Sequence, residues 1–520
     1  MTDAPWWRSA VVYQIYPRSF ADSGPGVAHP TGVGTLEGVR RRLDHLVWLG
    51  VDALWLSPFF RSPMADFGYD VSDHCDVDPT FGTLADFDRL LADAHDRGLR
   101  VLIDWVANHT SDQHPWFVES RSSRSSLQRS WYVWRDPAPD GGPPNNWRAA
   151  FGDDVPAWTL DPATGQHYLH LFLPEQPDVD WAHRPAVDAM HDVLRFWLDR
   201  GVDGFRADAV HCIGKDPDLS DDPVDLAGLP RSSTNDQTVT HEHLRELRAL
   251  LDAYPGQRVM VGEVYLLDTA KVAPYYGQDD ELHLAFNFPP LFTPWEATDW
   301  GNRLEEVRRH LDSVGAWPTW VLGNHDNPRP RSRYGGEARA RAAAFLLLGL
   351  RGTPFLYAGD ELGLEDAVVG PDDVVDPGGR DGSRAPIPWD ATPGHGWAAP
   401  PWLPWPPEPD VRNAEVQRHD PGSILHLYRR LLAARRASPA LRLGELEVVG
   451  SPDGVLAWRR RQGGDQRVVA VNFTASEQPL PLPEPVSWTT EVASDGDGEG
   501  QLWTGRLSPD QAVVLRPLTF

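Results

Sequence analysis

Short apolar runs rich in β-branched and aromatic residues recur along the chain, and they alternate with longer segments whose apolar positions repeat about every 3.6 residues. The runs are VVYQIYP from residue 11, ALWLSP from 53, VLIDWV from 101, GFRADAV from 204, VMVGEV from 259, LHLAFNF from 282, TWVLGNHD from 319 and TPFLYAGDELG from 353. These two periods predict strands and helices, respectively. Eight strands that alternate with helices predict an α/β fold with a parallel sheet closed into a (β/α)8 TIM barrel.

The intervening segments carry the marks of amphipathic helices. LEGVRRRLDHLVWLG from residue 36, LADFDRLLADAHDRG from 84 and AVDAMHDVLRFWLDRG from 186 each end close to a glycine, a common helix stop signal. A last helix is predicted over residues 424–441. Beyond it, LEVVG, VLAWRR, RVVAVNF and AVVLRPL alternate in the manner of strands, which predicts a C-terminal antiparallel β-sandwich over 443–520.

Two connections are too long to be simple loops. Residues 107–172, rich in Trp, Pro, Asp and Gly, predict a small inserted domain after the third strand. Residues 364–420, laden with Pro and Trp, predict a long loop subdomain after the eighth strand. The barrel then comprises residues 1–106 and 173–442. Both excursions leave the face of the barrel on which such folds carry their active sites.

Composition narrows the class of partner. The 520 residues carry a formal net charge of -27, which argues against nucleic acid because binding to phosphates needs clustered Lys and Arg. The N-terminal stretch MTDAPWWRSAVVYQIYP lacks a basic region and a long apolar segment, so we expect neither a signal peptide nor a membrane span, and a cytoplasmic protein. A monomer or a homodimer is expected.

Polar residues that packing does not require stand at the ends of several predicted strands. Carboxylates, histidines and an arginine converge there: Asp104, Asn108 and His109 at strand three, Arg206 and Asp208 at strand four, Glu263 at strand five, and His325 and Asp326 at strand seven. Converging carboxylates in a tryptophan-rich protein suit glycoside cleavage, in which one acid protonates the leaving oxygen and another attacks or stabilises the anomeric carbon. Arg206 lies on the same strand face as Asp208, and we expect it to keep that carboxylate ionised.

These motifs carry a resemblance over nearly the whole chain. DWVANH, GFRADAVH, GEVYL and GNHDNPR, in this order on the predicted strands, together with DFGYDVSD at 66 and QPDVDW at 176, resemble the α-amylase family of glycoside hydrolases (family 13), and most closely its α-glucosidase and oligo-1,6-glucosidase branch.

The resemblance implies roles for individual residues. Asp208 looks like the nucleophile that forms a β-glucosyl ester, Glu263 like the general acid and base, and Asp326 like the third carboxylate, which grips sugar hydroxyls. The substrate-binding positions of the branch match Asp66, Tyr69, His109, Phe151, Phe172, Gln176, Arg206, Ala209, His325 and Arg380. Tyr69 would stack beneath the nonreducing glucose, and Asp66 and Arg380 would close the pocket. The implied activity is that of a retaining, exo-acting α-glucosidase on a small oligosaccharide or α-glucoside.

Two departures from the family bear on metal and linkage. Relatives carry an acidic metal loop after the first strand, whereas here only Asp22 remains and Thr35 stands in place of the last Asp, so we expect no metal there and no cofactor. Asn108 matches a calcium position of true α-amylases, but the branch generally lacks that site. Members that prefer α-1,6 bonds tend to carry Val after the nucleophile; Ala209 therefore favours α-1,4 or similar linkages over α-1,6.

Three alternatives remain open at this point. A glucosyltransferase or sugar isomerase acting on sucrose, maltose or trehalose would share the mechanism and differ only in the acceptor, and some transglucosylation is expected in any case. A noncatalytic carbohydrate-binding member is a remote alternative, because the chain retains all three acids. A phosphosugar hydrolase would need a basic subsite, for which PRPRSRYGG at 328 offers arginines.

Overall fold

The structure, a computed structural model, describes residues 4–24, 31–152, 154–223, 233–450, 452–480, 482 and 487–518. Eight parallel strands form the central sheet, and all eight coincide with predicted runs. Their bounds are Val12–Ile15, Ala53–Leu56, Arg100–Val106, Gly204–Asp208, Val259–Gly262, Leu284–Ala285, Thr319–Val321 and Thr353–Tyr357. Numbered one to eight along the chain, they lie in the order 6-5-4-3-2-1-8-7, which is a barrel opened between strands six and seven.

A threonine hydroxyl joins the two strands at that opening. Thr319 Oγ1 on strand seven donates to the carbonyl of Ala285 on strand six at 2.9 Å, and it accepts from the backbone N–H of Asn287 at 3.1 Å. These side-chain bonds replace the missing ladder, because buried backbone groups need partners. The predicted (β/α)8 barrel is confirmed.

Helices surround the barrel, with two corrections to the predicted bounds. The helix expected from residue 36 breaks at Arg42, whose φ and ψ of -99° and 2° are not helical. The helix expected over 424–441 ends at Ala437, because Ser438 caps a new short helix whose first residue is Pro439; proline lacks the N–H that would continue the helix before it.

The described helices have these bounds: Trp6–Ser9, Pro17–Phe20, Leu36–Arg41, Leu43–Leu49, Leu84–Asp96, Pro115–Ser122, Arg184–Arg200, Thr238–Asp252, Thr269–Val272, Pro289–Phe292, Ala297–His310, Pro330–Tyr334, Glu337–Gly349, Ala414–His419, Ile424–Ala437 and Pro439–Leu443. Short 3-10 turns occupy Arg129–Trp131, Val210–Cys212, Ala273–Tyr276, Asp312–Val314 and Asp360–Leu362. Within the described ranges, none of these helices combines the length and the apolar character that a bilayer span requires.

The two long connections differ in structure. The segment after strand three holds a three-stranded antiparallel sheet of Trp134–Arg135, Gln166–Leu169 and Trp158–Asp161, in that order. The connection after strand eight contains turns and the short helix Ala414–His419. A second small hairpin, Phe60–Arg61 with Asp73–Val77, follows strand two. The predicted limits of the inserted domain stay predictions.

The C-terminal region is antiparallel, as predicted. Its main sheet has the strand order Glu445–Val449, Val455–Gln462, Asp465–Asn472, Ala512–Pro517 and Trp488–Ala493, and a two-stranded ribbon pairs Gln478–Pro479 with Arg506–Leu507. The strand Trp488–Ala493 was not among the sequence-based predictions. Trp458 Nε1 and Arg460 Nη1 both donate to the carbonyl of Gly349, at 3.1 and 2.8 Å, and so attach this sheet to a barrel helix.

Candidate active site

The alternation of side chains along the barrel strands places the acids inside the barrel. Successive strand residues point to opposite faces. On strand three, Leu102 belongs to the apolar filling of the barrel, and Asp104 follows on the same face. On strand five, Val261 belongs to the same filling and Glu263 follows two residues later. Each acid therefore stands one step above the apolar core, at the carboxyl ends of the strands.

The register of the parallel strands places residues of strand four at the same level in the barrel as these acids. Arg206 lies opposite Asp104 of strand three and opposite Val261 of strand five, and Asp208 lies opposite Val106. The arginine and the predicted nucleophile therefore share the inner face at the rim.

Arg206 contacts three carboxylates. Its Nη1 lies 2.5 Å from Asp208 Oδ1 and 3.2 Å from Asp104 Oδ2, and its Nη2 lies 2.9 Å from Glu263 Oε2. The guanidinium side chain is only 3% exposed. A planar fork of donors can hold two carboxylates in a fixed relation, which an ammonium group cannot do. The predicted nucleophile and the predicted acid thus share one guanidinium.

Burial is the largest influence on the pKa values of Asp208 and Asp104. It raises the pKa of Asp208 well above the ordinary value, and the contact with Arg206 opposes that rise without cancelling it. Burial likewise raises the pKa of Asp104 to about 6 against the opposing Arg206. The expectation that Arg206 keeps Asp208 ionised therefore meets an opposing cause that the sequence does not reveal, namely the loss of solvent around the carboxyl.

Ala209 adopts an unusual backbone conformation directly after Asp208. Its φ is 43° and its ψ is 33°, in the left-handed region that residues with a β-carbon rarely adopt. In this conformation its backbone N–H donates to Glu263 Oε2 at 2.8 Å. A strained residue of this kind costs about 1–3 kcal/mol and is typical of functional sites. Here the strain aims a backbone donor at the predicted acid.

A second arginine gathers the carboxylates on the other side of the site. Arg380 Nη2 lies 2.5 Å from Asp66 Oδ1 and 2.7 Å from Asp376 Oδ1, and its Nη1 lies 3.0 Å from Asp326 Oδ1. Arg384 also contacts Asp326 at 3.0 Å. Although burial opposes ionisation, His325, which is protonated at the acidic pH at which Asp326 would titrate, and these two guanidiniums hold the pKa of Asp326 well below its ordinary value. Asp326 is therefore anionic, which suits the predicted third carboxylate.

His325 lies between the carboxylates around Arg206 and the carboxylates around Arg380. Burial lowers its pKa to about 3, so the imidazole is neutral at neutral pH. Its Nδ1 lies 2.7 Å from Gln14 Nε2, and its Nε2 lies 2.5 Å from the hydroxyl of Tyr69. The Tyr69 ring stacks on the imidazole with centroids 5.5 Å apart, and its hydroxyl donates to Asp104 at 2.9 Å. Tyr69 thus connects both groups of carboxylates.

The remaining predicted binding residues line the wall next to Asp66. Gln176 Nε2 donates to Asp66 Oδ2 at 3.1 Å and lies 3.0 Å from His109 Nε2. The rings of His109 and Phe172 have centroids 5.0 Å apart. Phe151 continues this wall: its ring lies 6.2 Å from that of Phe172 and 5.1 Å from the Arg380 guanidinium. All thirteen predicted site residues therefore belong to one connected cluster; their individual roles stay predictions.

Two residues of the cluster, Asp376 and Arg384, were missed by the sequence analysis. Asp376 and Arg384 flank Arg380 at four-residue spacing in the loop after strand eight, and both side chains are fully buried. The loop lacks the periodic pattern from which core positions are inferred. The charge alternation in DPGGRDGSR, unusual for a loop, is the one signal that could have revealed them.

The side chain of Lys215 lies next to Asn108. Lys215 Nζ lies 2.7 Å from Asn108 Oδ1 and 2.9 Å from Asp178 Oδ2, and its side chain is buried. An ammonium group at these oxygens already supplies the positive charge that a cation would bring. In the loop after the first strand, the Asp22 carboxylate accepts from the backbone N–H groups of Gly24 and Ala398. Residues 25–30 of that loop lie outside the described part, so the expected lack of a metal stays a prediction.

Comparison with known proteins identifies the family. The model of the α-amylase catalytic domain matches residues 14–444, most of the chain. The chain belongs to the α-amylase family. The family recognition made from the motifs is thereby confirmed, and the chain is a glycoside hydrolase.

Relatives within the α-amylase family point to the same branch. The chain is 42% identical to a probable α-glucosidase of Rhizobium meliloti (strain 1021), over 92% of each chain. It is 34% identical to an oligo-1,6-glucosidase of Parageobacillus thermoglucosidasius, over 98% of this chain and 99% of that one.

Solved structures of two similar enzymes superpose closely on the chain. The α-glucosyl transfer enzyme XgtA is 41% identical, with a TM-score of 0.89. The trehalulose synthase MutB from Pseudomonas mesoacidophila MX-45 is 34% identical, with a TM-score of 0.92. The alignment covers 99% of this chain and 100% of each of those structures.

Proposed function

We propose that the protein is a retaining, exo-acting α-glucosidase that releases glucose from the nonreducing end of short α-glucosides. In this proposal Asp208 attacks the anomeric carbon and Glu263 protonates the leaving oxygen. Glu263 then activates the water that hydrolyses the glucosyl ester. Membership of the α-glucosidase branch supports the reaction class.

The contact of Asp208 and Glu263 with one guanidinium carries the proposal. Retaining enzymes hold their two carboxyl groups ~5–5.5 Å apart, whereas inverting enzymes need ~6.5–9.5 Å to admit a water. Two carboxylates bound to Nη1 and Nη2 of the same Arg206, at 2.5 and 2.9 Å, favour the shorter separation. The Ala209 N–H fixes the acid from a third direction.

The ion pair of Asp66 with Arg380 supports exo action. Gln176 and Asp376 bond to this pair and immobilise it, at 3.1 and 2.7 Å. A bidentate or forked arginine contact of this kind is rigid. It would leave no path for further sugar units beyond the nonreducing glucose, whose far hydroxyls would meet these charged groups.

Ala209 supports a preference for α-1,4 or similar linkages over α-1,6. Ala209 directly follows the proposed nucleophile in the chain, and a larger side chain there would narrow the space for the leaving sugar. A difference of this size is worth ~1–3 kcal/mol in discrimination.

Transfer to an acceptor other than water is the second candidate function. The rim beside Glu263 carries partly exposed apolar side chains, Tyr265 at 39%, Leu267 at 50% and Phe292 at 49%. Aromatic faces give an acceptor sugar or alcohol a surface on which to stack. Similarity to a glucosyl transfer enzyme and to a trehalulose synthase adds to this alternative.

The arginines considered for a phosphosugar subsite have other partners. Arg329 is fully buried against Asp360 at 3.1 Å, and Arg331 contacts Glu365 and Glu408. Arg333 donates to the carbonyls of Pro328 and Leu322. These contacts favour an uncharged glucoside as the substrate, although one relative, at 34% identity, is a trehalose-6-phosphate hydrolase of Bacillus subtilis (strain 168).

Replacement of the nucleophile tests the proposal. Asp208→Asn should abolish turnover of an aryl α-glucoside and leave the circular dichroism spectrum unchanged, whereas Asp192→Asn, at an exposed helix position, should keep full activity. Near-normal activity of the Asp208 variant would contradict the assignment. Relative kcat/KM values on maltose, isomaltose, sucrose, trehalose and kojibiose test the linkage, and a strong preference for isomaltose would contradict the Ala209 argument.

A further inference from the structure

An arginine-rich cavity lies at the base of the barrel, on the face opposite the candidate active site. Val11 and Asp52 directly precede the first two barrel strands, which places the cavity at the amino ends of the strands. Its volume is about 270 Å³. This basal arginine pocket is lined by Ser9, Val11, Gly50, Asp52, Leu432, Arg435, Arg436 and Arg442.

Arg435 is the most buried cation of the pocket. It is 2% exposed, and its Nε has no hydrogen-bond partner within the described residues. Burial lowers its pKa to about 10, with Asp52 opposing this and the charge of Arg442 adding to it. Among the described residues, its Nη groups donate only to neutral backbone carbonyls, those of Leu348, Gly352 and Leu441, at 2.8–3.0 Å.

The other charges of the pocket do not balance. Arg436 Nη2 lies 3.1 Å from Asp52 Oδ1, and the second oxygen of Asp52 accepts from the Val11 N–H at 2.9 Å. Arg442 Nη2 donates to the hydroxyl of Ser9 at 3.2 Å, and in the described part of the chain no carboxylate lies within ion-pair distance of it. Three guanidiniums thus face one carboxylate in a chain whose net charge is -27.

The dipole of the helix that carries two of these arginines does not account for the excess of positive charge. Arg435 and Arg436 lie in the last turn of the helix Ile424–Ala437, where cations interact favourably with the helix dipole. That interaction is worth about 0.3–1 kcal/mol at exposed positions, and a solvated side chain such as that of Arg436 already provides it. It does not balance the buried charge of Arg435, whose Nη groups donate to neutral carbonyls and which shares the cavity with two further guanidiniums.

We propose that the basal arginine pocket binds a small oxyanion of the phosphate class, either inorganic phosphate or the phosphate group of a sugar monophosphate. Arg435, Arg436 and Arg442 line the cavity. Arg436 and Arg442 offer guanidinium N–H groups to phosphate oxygens, and the buried Arg435 adds its positive charge. The volume lies below the ~300–1,000 Å³ usual for drug-sized ligands, which favours a small anion over an oligosaccharide. The bound anion would join the barrel base to the helices that lead into the C-terminal sheet.

Calorimetric titration of the whole protein tests this site. We expect inorganic phosphate, at constant ionic strength set with sodium chloride, to bind saturably at one ion per chain. Arg442→Gln should weaken binding at least tenfold, and Arg436→Gln should act in the same direction. Arg309→Gln, at an exposed helix position paired loosely with Glu305 at 3.8 Å, is the matched control and should bind phosphate as the unaltered protein does.

A second arm distinguishes the source of the anion. Tighter binding of glucose 6-phosphate than of inorganic phosphate supports a sugar phosphate, and equal binding supports the free ion. Phosphate held among the active-site arginines would bind equally well to the Arg442 variant, which would overturn the proposal. The lack of saturable binding up to ~10 mM phosphate would overturn it as well.

Discussion

Replacement of Arg206 by lysine tests the role of the shared guanidinium. The change keeps the positive charge and removes the planar fork, so an ammonium group can approach Asp208 or Glu263 but cannot hold both in the present geometry. Each hydrogen bond to a charged group is worth about 1.5–3 kcal/mol, and tenfold in rate corresponds to about 1.4 kcal/mol. Loss of one such bond predicts a decrease in kcat/KM of about 10- to 150-fold.

The pH profile adds a second readout. Asp208 must be ionised to attack, and burial already raises its pKa against the opposing contact with Arg206. A weaker contact raises the pKa of Asp208 further, so the acidic limb of kcat/KM should move to higher pH in Arg206→Lys. The assay is hydrolysis of an aryl α-glucoside across pH, with Arg195→Lys on an exposed helix face as the control. A variant within twofold of the unaltered enzyme, with an unshifted acidic limb, would refute the reasoning.

Three further changes have defined outcomes. Arg380→Ala should lower kcat/KM on maltose by about 10- to 150-fold, because a sugar hydroxyl would lose a hydrogen bond to a charged group, worth about 1.5–3 kcal/mol; a decrease under fivefold would contradict the closed pocket. Ala209→Val should shift the ratio of kcat/KM for isomaltose over maltose upward by about 10-fold or more, and an unchanged ratio would contradict the linkage argument. Lys215→Met should lower the free energy of unfolding by about 3–5 kcal/mol, measured by urea denaturation, because it leaves Asp178 buried without its cation; Lys271→Met, at an exposed position, is the control.

The barrel could be predicted from the sequence because its signal is local and repeated. Each of the eight strands is a short apolar run, and each is followed by a recognisable connection. Helix bounds were less accurate: a break at Arg42 follows no pattern of apolar positions, whereas Pro439 is a visible stop signal that the prediction over 424–441 did not use.

The candidate site was predictable to the extent that its residues stand at strand ends or match motifs. Arg206 and Asp208 share a face because of the strand period, and register places Asp104 opposite Arg206. Asp376 and Arg384, the partners of Arg380 and Asp326, come from an irregular loop, with Arg384 58 residues beyond Asp326. Their contacts depend on the path of that loop in space. The raised pKa of Asp208 likewise depends on burial by the whole assembled rim, which no short stretch of sequence encodes.

The most direct test of the account is to identify the residue that carries the glucosyl group. A fluorinated α-glucosyl fluoride that forms the ester but slows its hydrolysis should label the enzyme once per chain. Peptide mass spectrometry should then locate the sugar on Asp208, with no label in Asp208→Asn. Labelling of Glu263 or Asp326 instead, or turnover without any covalent species, would contradict the central claim that Asp208 is the nucleophile of a retaining reaction.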